Sequence, residues 1–347
     1  MAAPTTKELW FEHCDTAAAR TTEMPTVTPA ELAKLDPPTR EALNQHRRRY
    51  ILTERVYLTA DVRNIEKAAR RMLLRCEQPT SVVRRGLRIS GPSATGKSTA
   101  VLHVGRLLDD ALRVRTNRRG DASYLPVVYV PIGEVTSANK LWTAFAQFLG
   151  IELPKRGNAD DRMYIIASLL REMGTRFVIV DEVHHLQIQK TQGAEAANAL
   201  KRFAEQFDAS MIYTGIDLDT APLFTGKAGA QWRARTVPYD MRTYSVRQEG
   251  SRDEWTELVN AFAADLPLAR HRHDSLESHA DYLYHRTGGS IGALKNLLQD
   301  AAIDAIENGS ETITRKLLDT VTIDLEAIEY ATIHPYTNPQ RKRGKAQ

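Results

Sequence analysis

Residues 91–98 read Gly-Pro-Ser-Ala-Thr-Gly-Lys-Ser and stand between a short apolar segment ending at Ser90 and an amphipathic run starting at Lys97. This G-x-x-x-x-G-K-[ST] pattern, in a strand-to-helix context, constrains the fold more than any other feature of the chain. Glycine lets the backbone curl until successive N–H groups point at one place, and the first turn of the following helix adds partial positive charge. Such a turn cradles phosphate. The candidate nucleotide-binding residues are therefore Gly91, Pro92, Ser93, Ala94, Thr95, Gly96, Lys97, Ser98 and Thr99. Lys97 has the charge to bridge β- and γ-phosphates, and the Ser98 hydroxyl is a Mg²⁺ ligand, so ATP and Mg²⁺ are expected. The bland reading of the same residues is an incidental Lys-Ser after a glycine turn.

The pattern of apolar residues places that turn in an α/β architecture. Short apolar strands over 87–90, 126–131, 176–181 and 209–214 alternate with helices over 97–112, 137–149, 160–172 and 194–207. This alternation predicts a parallel sheet with helices on both faces. An amphipathic helix over Asp61–Cys76 precedes it, with Val62, Ile65, Ala69, Met72 and Leu73 at helical spacing. Upstream, Pro25, Pro29, Pro37 and Pro38 punctuate short helical segments at 29–35 and 40–50, so residues 1–60 read as a helical appendage for a partner. Beyond 247 the strand signals stop, and helices are expected over 252–264, 275–287, 291–308 and 314–331. The domains expected are thus 1–60, an α/β domain over 61–247, a small helical lid over 248–331 and a basic disordered tail over 332–347.

Composition excludes several classes. With 42% hydrophobic and 26% charged residues the chain is ordinarily globular. No apolar run reaches the roughly 20 residues of a membrane span, and the N-terminus lacks a signal-peptide pattern, which fits a cytoplasmic protein with no membrane partner. Cys14 and Cys76 are too few for a disulfide framework. Arg341, Lys342, Arg343 and Lys345 equal the whole net charge of +4, so any attraction for nucleic acid must come from local clusters.

A second motif supports the first. Phe177-Val-Ile-Val-Asp181-Glu182 is an apolar strand ending in two carboxylates, which a parallel sheet delivers to the edge where ligands bind. Asp181 suits the Mg²⁺ shell and Glu182 the polarisation of the attacking water. Capping of the next helix is the alternative role for an acidic pair. His184 and His185 follow, but neighbours in sequence do not face the same way on a helix or strand, and both are read as non-ligands.

Together these residues resemble the AAA+ ATPases that regulate DNA transposition, TniB and TnsC, with MuB and IstB more distant. The resemblance runs over about residues 50–325 and rests on Gly91–Ser98, VDEVHHL at 180–186, ALKRF at 199–203, MIYTGIDLD at 211–219 and QWRART at 231–236. In the helical region it adds LPL at 266–268, TGGSIGALKNLL at 287–298 and AIENGSETIT at 305–314. The resemblance implies an AAA+ P-loop fold with a helical lid, ATP hydrolysis, assembly into a ring or helical filament on double-stranded DNA, and recruitment of a transposase. It also implies a sensor-1 role for Thr214 and an arginine finger at Arg235, with Arg233 the competitor. Solvated basic charge is the other reading of that pair. One departure concerns sensor 2, where Gly292 stands three residues after Gly289 and Lys295 is a turn further on.

Arg113, Arg115, Arg118 and Arg119 are expected in a loop with no acid among them, suited to phosphate contacts or simply solvated. By resemblance, Thr136 and Lys140 face DNA. Arg47, Arg48 and Arg49 form another basic cluster, for DNA, a partner or solvent. Two further functions remain open: an origin-binding or helicase-loading ATPase, which would carry a winged helix for which about 20 residues after the last helix are too few, and a nucleotide-gated scaffold with little turnover.

Overall fold

The computed structural model describes residues 3–19, 23–76, 78, 84–133, 137–187, 192–221, 223–246, 250–272 and 274–323. Four helices come first: α1 (Lys7–Ala19), α2 (Pro29–Lys34), α3 (Pro37–Leu52) and α4 (Ala60–Cys76). The alternating part follows as β1 (Gly86–Ser90), α5 (Lys97–Arg115), β2 (Val127–Pro131), α6 (Ala138–Leu149), α7 (Ala159–Glu172), β3 (Phe177–Asp181), α8 (Gln192–Gln206), β4 (Ser210–Gly215), α9 (Gly226–Ala234) and β5 (Thr236–Asp240). Four more helices complete the described chain: α10 (Ser251–Ala264), α11 (Ala280–Thr287), α12 (Ile291–Glu307) and α13 (Arg315–Thr320).

The chain divides into two compact units, residues 1–21 with 60–242, and residues 22–59 with 243–347. In the first, five parallel strands run in the order β2-β3-β4-β1-β5. Every residue of β1, β3 and β4 is buried, so both faces of the sheet are covered, as parallel sheets require. Helix α5 buries Ala100, Val101, Val104, Leu108 and Leu112 at helical spacing. Gly105 on the same face admits close contact: a Cβ there would stand 2.7 Å from both Ile179 and Trp10.

β5 escaped the sequence reading because Pro238 interrupts it and only Thr236 of its five residues is buried. It lies at the sheet's edge beside β1, the place where a strand tolerates proline.

The first sixty residues also divide differently from the expected single appendage. Trp10 on α1 is fully buried in the first unit's core, stacks on Tyr129 at 6.2 Å and donates from Nε1 to Asp109 at 3.2 Å. Helices α2 and α3 belong to the second unit. Their prolines start helices, since Thr28 and Asp36 cap α2 and α3 and the prolines fill first-turn positions where an N–H has no partner.

The second unit's core includes Ile51, Trp255, Val259, Leu283, Leu294, Leu298 and Leu318. Arg47 lies inside it at 0% exposure, which corrects its reading as part of a surface cluster. Its guanidinium donates to both carboxylate oxygens of Glu311 at 2.6 and 2.9 Å, to the Pro267 carbonyl at 3.2 Å and to Asn44 at 2.5 Å. Arg48 pairs with Glu41 instead. Of the helix expected over 314–331 the described part is helical over Arg315–Thr320, and residues 324–347, the tail expected over 332–347 included, lie outside the described residues. Breaking the buried pair leaves a charge without its counterion, so Arg47→Ala should lower unfolding stability by about 3–5 kcal/mol, whereas Arg47→Met with Glu311→Leu should recover most of it. Urea titration of the single and double variants measures the difference.

Candidate functional site

The carboxyl ends of β1, β3 and β4 carry the candidate residues. β1 ends at Ser90, and the loop to α5 turns through left-handed Ala94 (φ +56°) and Gly96 (φ +90°). Gly91 is required by crowding: a Cβ there would stand 2.4 Å from the Met241 carbonyl oxygen. The buried Thr95 hydroxyl braces the loop by donating to the Pro92 carbonyl at 2.9 Å. The loop opens onto the N-terminus of the 19-residue helix α5, where amides carry partial positive charge. Lys97 donates to the Pro92 carbonyl at 2.5 Å. Burial pushes its ammonium below the usual lysine range, opposed by the charges of Asp181 and Glu182. Ser98 and Thr99 follow on the first turn, Ser98 half-buried and Thr99 exposed.

Asp181 ends β3 at 2% exposure. Its Oδ2 accepts the Tyr129 hydroxyl from β2 at 2.6 Å, and its Oδ1 accepts the Thr214 hydroxyl from β4 and the Glu182 amide at 2.9 Å. A carboxylate has about four lone-pair sites, so one remains for a metal or a metal-bound water. Burial, and next Asp181, raise the Tyr129 phenol above the usual tyrosine range.

Glu182 follows in the left-handed region (φ +62°), an uncommon place for a residue with a side chain, and its amide also lies 3.4 Å from Thr214 Oγ1. Thr214 itself is fully buried. The turn lifts the Glu182 carboxylate out of the sheet: the side chain is 51% exposed and lies 3.1 Å from His185 Nε2. The 3₁₀ turn Val183–Gln187 also brings the His184 and His185 rings to 4.3 Å, closer than helix or strand geometry allows for neighbours. Among the described residues no group of three or more His, Cys, Asp or Glu side chains is placed to hold a metal ion. The loop, helix terminus, half-buried ammonium and buried acid together fit a Mg²⁺-nucleotide.

Two participants, Tyr129 and His185, were missed as site residues. The signal for Tyr129 is a single polar tip in the apolar strand VVYVP, and for His185 its three-residue offset from Glu182.

The remaining candidates separate. At the end of α9, Arg233 donates to the Phe224 carbonyl of its own unit. Arg235, the residue after α9, pairs at 3.0 Å with the exposed Glu205 on α8. Lys295, in the second unit, pairs with Glu54 at 2.6 Å. Arg113 is a correction. Helix α5 runs to 115 instead of 112, so Arg113 lies one turn from Asp109 and pairs with it at 2.5 Å. Its other N–H groups bind the Asp121 and Tyr124 carbonyls at 2.9 and 2.6 Å, which makes it a strut of the fold. Arg118 pairs with Asp121 at 2.7 Å and lies over the Tyr124 ring. Arg115 is exposed, as is Arg119, which lies 3.5 Å from Asp110. A cleft of about 440 Å³ here is bordered by Arg106, Arg113 and Arg119 and by Asp15, Asp109, Asp110 and Asp121, a balance that does not favour phosphate. Lys140 is exposed on the first turn of α6, and Thr136 lies outside the described residues.

No helix among the described residues is long and apolar enough to cross a membrane. The fold is similar to solved ORC and Cdc6 structures. The Aeropyrum pernix ORC2 protein in ADPNP-ADP complexes superposes with a TM-score of 0.61 at 15% identity, covering 86% of this chain and 74% of that one. The Aeropyrum pernix ORC1 protein in complex with DNA gives 0.51 at 17%, covering 79% and 68%. Cdc6p from Pyrobaculum aerophilum gives 0.51 at 16%, covering 76% and 67%. At these identities the likeness shows the fold, that of an AAA+ P-loop protein with a helical C-terminal region. A comparison with curated protein sequences found no match. The model of the family described as bacterial TniB protein matches residues 47–234, more than half of the sequence, and the chain belongs to that family.

Proposed function

We propose that this chain is an ATP-dependent regulator of DNA transposition that assembles on double-stranded DNA, recruits a transposase and leaves the DNA when ATP is hydrolysed. The observation that carries the reading is the joining of Lys97, Asp181, Glu182 and Thr214 at one sheet edge in a member of the TniB family.

In this reading the amides of residues 91–97 and the Lys97 ammonium hold the phosphates. Ser98 and Asp181 hold Mg²⁺, which neutralises charge on the phosphate oxygens when bound. Glu182 accepts a hydrogen bond from the attacking water and so polarises it, and Thr214, fixed by Asp181, orients the same region. Arg235 serves as the finger for a neighbouring subunit, because Arg233 is already tied to the Phe224 carbonyl. ATP thereby favours the assembled form, since each site is completed by a neighbour. DNA association draws support from the DNA present in the ORC1 structure of similar fold. That likeness also favours the origin-binding reading, but it rests on 17% identity, whereas the family match points to transposition.

Lys97→Ala should lose ATP binding. Glu182→Gln should keep ATP affinity, lose turnover by roughly 10² or more and trap the DNA-bound oligomer; an active Glu182→Gln removes the water-polarising role. Phosphate release and filter binding with duplex DNA read both, and turnover that DNA does not stimulate would favour the nucleotide-gated scaffold. Mixed Arg235→Ala and Lys97→Ala subunits should regain activity, and no rescue at any ratio counts against a finger in trans. On DNA, Lys140→Ala should lower the slope of log affinity against log salt by about one. Arg113→Ala should instead lower the melting temperature and leave that slope unchanged.

A further inference from the structure

The catalytic role proposed for Glu182 requires that a half-exposed side chain with three rotatable bonds point steadily at one place. Its backbone is already fixed, because the amide is held by Asp181 Oδ1 at 2.9 Å and lies 3.4 Å from Thr214 Oγ1. The carboxylate end is held differently. In a 3₁₀ turn residues i and i+3 eclipse, and the His185 amide closes such a turn on the Glu182 carbonyl at 2.9 Å. The imidazole therefore stands over the carboxylate, with Nε2 3.1 Å from Oε2. Among the described residues His185 is the one side chain hydrogen-bonded to that carboxylate.

His185 is itself supported. Its ring packs on His184 at 4.3 Å, tilted by 32°. The His184 Nδ1 accepts the Ile216 amide at 3.3 Å, just beyond β4, and burial holds this imidazole below the usual histidine range, in keeping with an acceptor. Gly215 makes the approach possible, since a Cβ there would stand 3.2 Å from both the His184 amide nitrogen and Nδ1. The support thus runs from the end of β4, the strand that carries Thr214, through two packed, mutually tilted rings to Glu182.

We propose that His185 is a positioning residue for Glu182. Its Nε2–H donates to Oε2, fixes the carboxylate rotamer and leaves Oε1 for the attacking water. The inference rests on the reading of Glu182 as the group that polarises water.

The test uses the full chain with duplex DNA, a fluorescent ATP analogue for affinity and phosphate release for turnover. His185→Ala should lower kcat by roughly 10- to 100-fold while ATP affinity stays within about twofold. His185→Gln, which keeps an N–H donor at similar reach, should return to within about threefold of the parent. His185→Phe, which keeps a ring but no donor, should be as slow as His185→Ala. If His185→Ala melts early, the contrast between Gln and Phe decides. Turnover of His185→Ala at or above the parent level, equal rates for Gln and Phe, or loss of ATP affinity along with rate overturns the proposal. Glu182→Gln measured in parallel separates the two levels: if it turns over normally, the role of Glu182 fails first; if it is inactive while His185→Ala is not, the positioning role alone fails.

Discussion

A carboxylate taken out of water is costly unless its oxygens are satisfied, and Asp181 is satisfied from three directions. Tyr129 donates from β2, Thr214 from β4, and the Glu182 amide from the chain's own next step. Each buried donor left without its acceptor would cost about 1–3 kcal/mol, so the group locks the carboxyl ends of three neighbouring strands together. Much of the site follows from that lock. The amide bond to Asp181 belongs to the same turn that sets Glu182 in the left-handed region and aims its side chain out of the sheet, and the two acids act electrostatically on Lys97. Tyr129 in turn stacks on Trp10, which makes the first helix part of the support beneath the site.

The parallel sheet and the positions of its central strands were legible because buried parallel strands are continuous apolar runs, and 177–181 is such a run. The turn at 91–98 between strand and helix was legible for a related reason: a short contiguous motif carries its own backbone geometry. β5 was not, since an edge strand need not be uniformly apolar and may hold a proline. Nor was the placement of the first sixty residues. Trp10 reads as one of two adjacent aromatics, with Phe11, in the first helix, and nothing local in the sequence says that its partners are Tyr129 and Asp109.

Charge was the least legible property. Three arginines from two basic clusters each looked available for phosphate or a partner, yet Arg47, Arg113 and Arg118 are spent on acids within their own units. For Arg113 the partner was within reach of a local argument, because extending α5 by one turn puts it four residues from Asp109. For Arg47 it was not, because Glu311 is far away in sequence and is brought close only by the helical unit. A basic cluster in a sequence therefore marks nucleic-acid binding only after acids one helical turn away, and acids across the fold, have been matched against it.

The same distinction bears on how, in the proposed assembly, a neighbouring subunit would complete the nucleotide site. An arginine that acts in trans must leave whatever holds it at home, and the free energy of that release is subtracted from what it gains at the phosphate. Arg233 donates to a backbone carbonyl and is half-buried, so its departure would strand the Phe224 oxygen. Arg235 is held by an exposed ion pair with Glu205, a class worth about 0–1 kcal/mol. A charge-assisted bond to a phosphate, roughly twice as strong as a neutral one, exceeds that. In the proposed assembly the loosely held residue just past α9 is thus the one whose transfer from home to neighbour would be favourable, and that small difference is what would allow ATP, and not contact alone, to decide when subunits join.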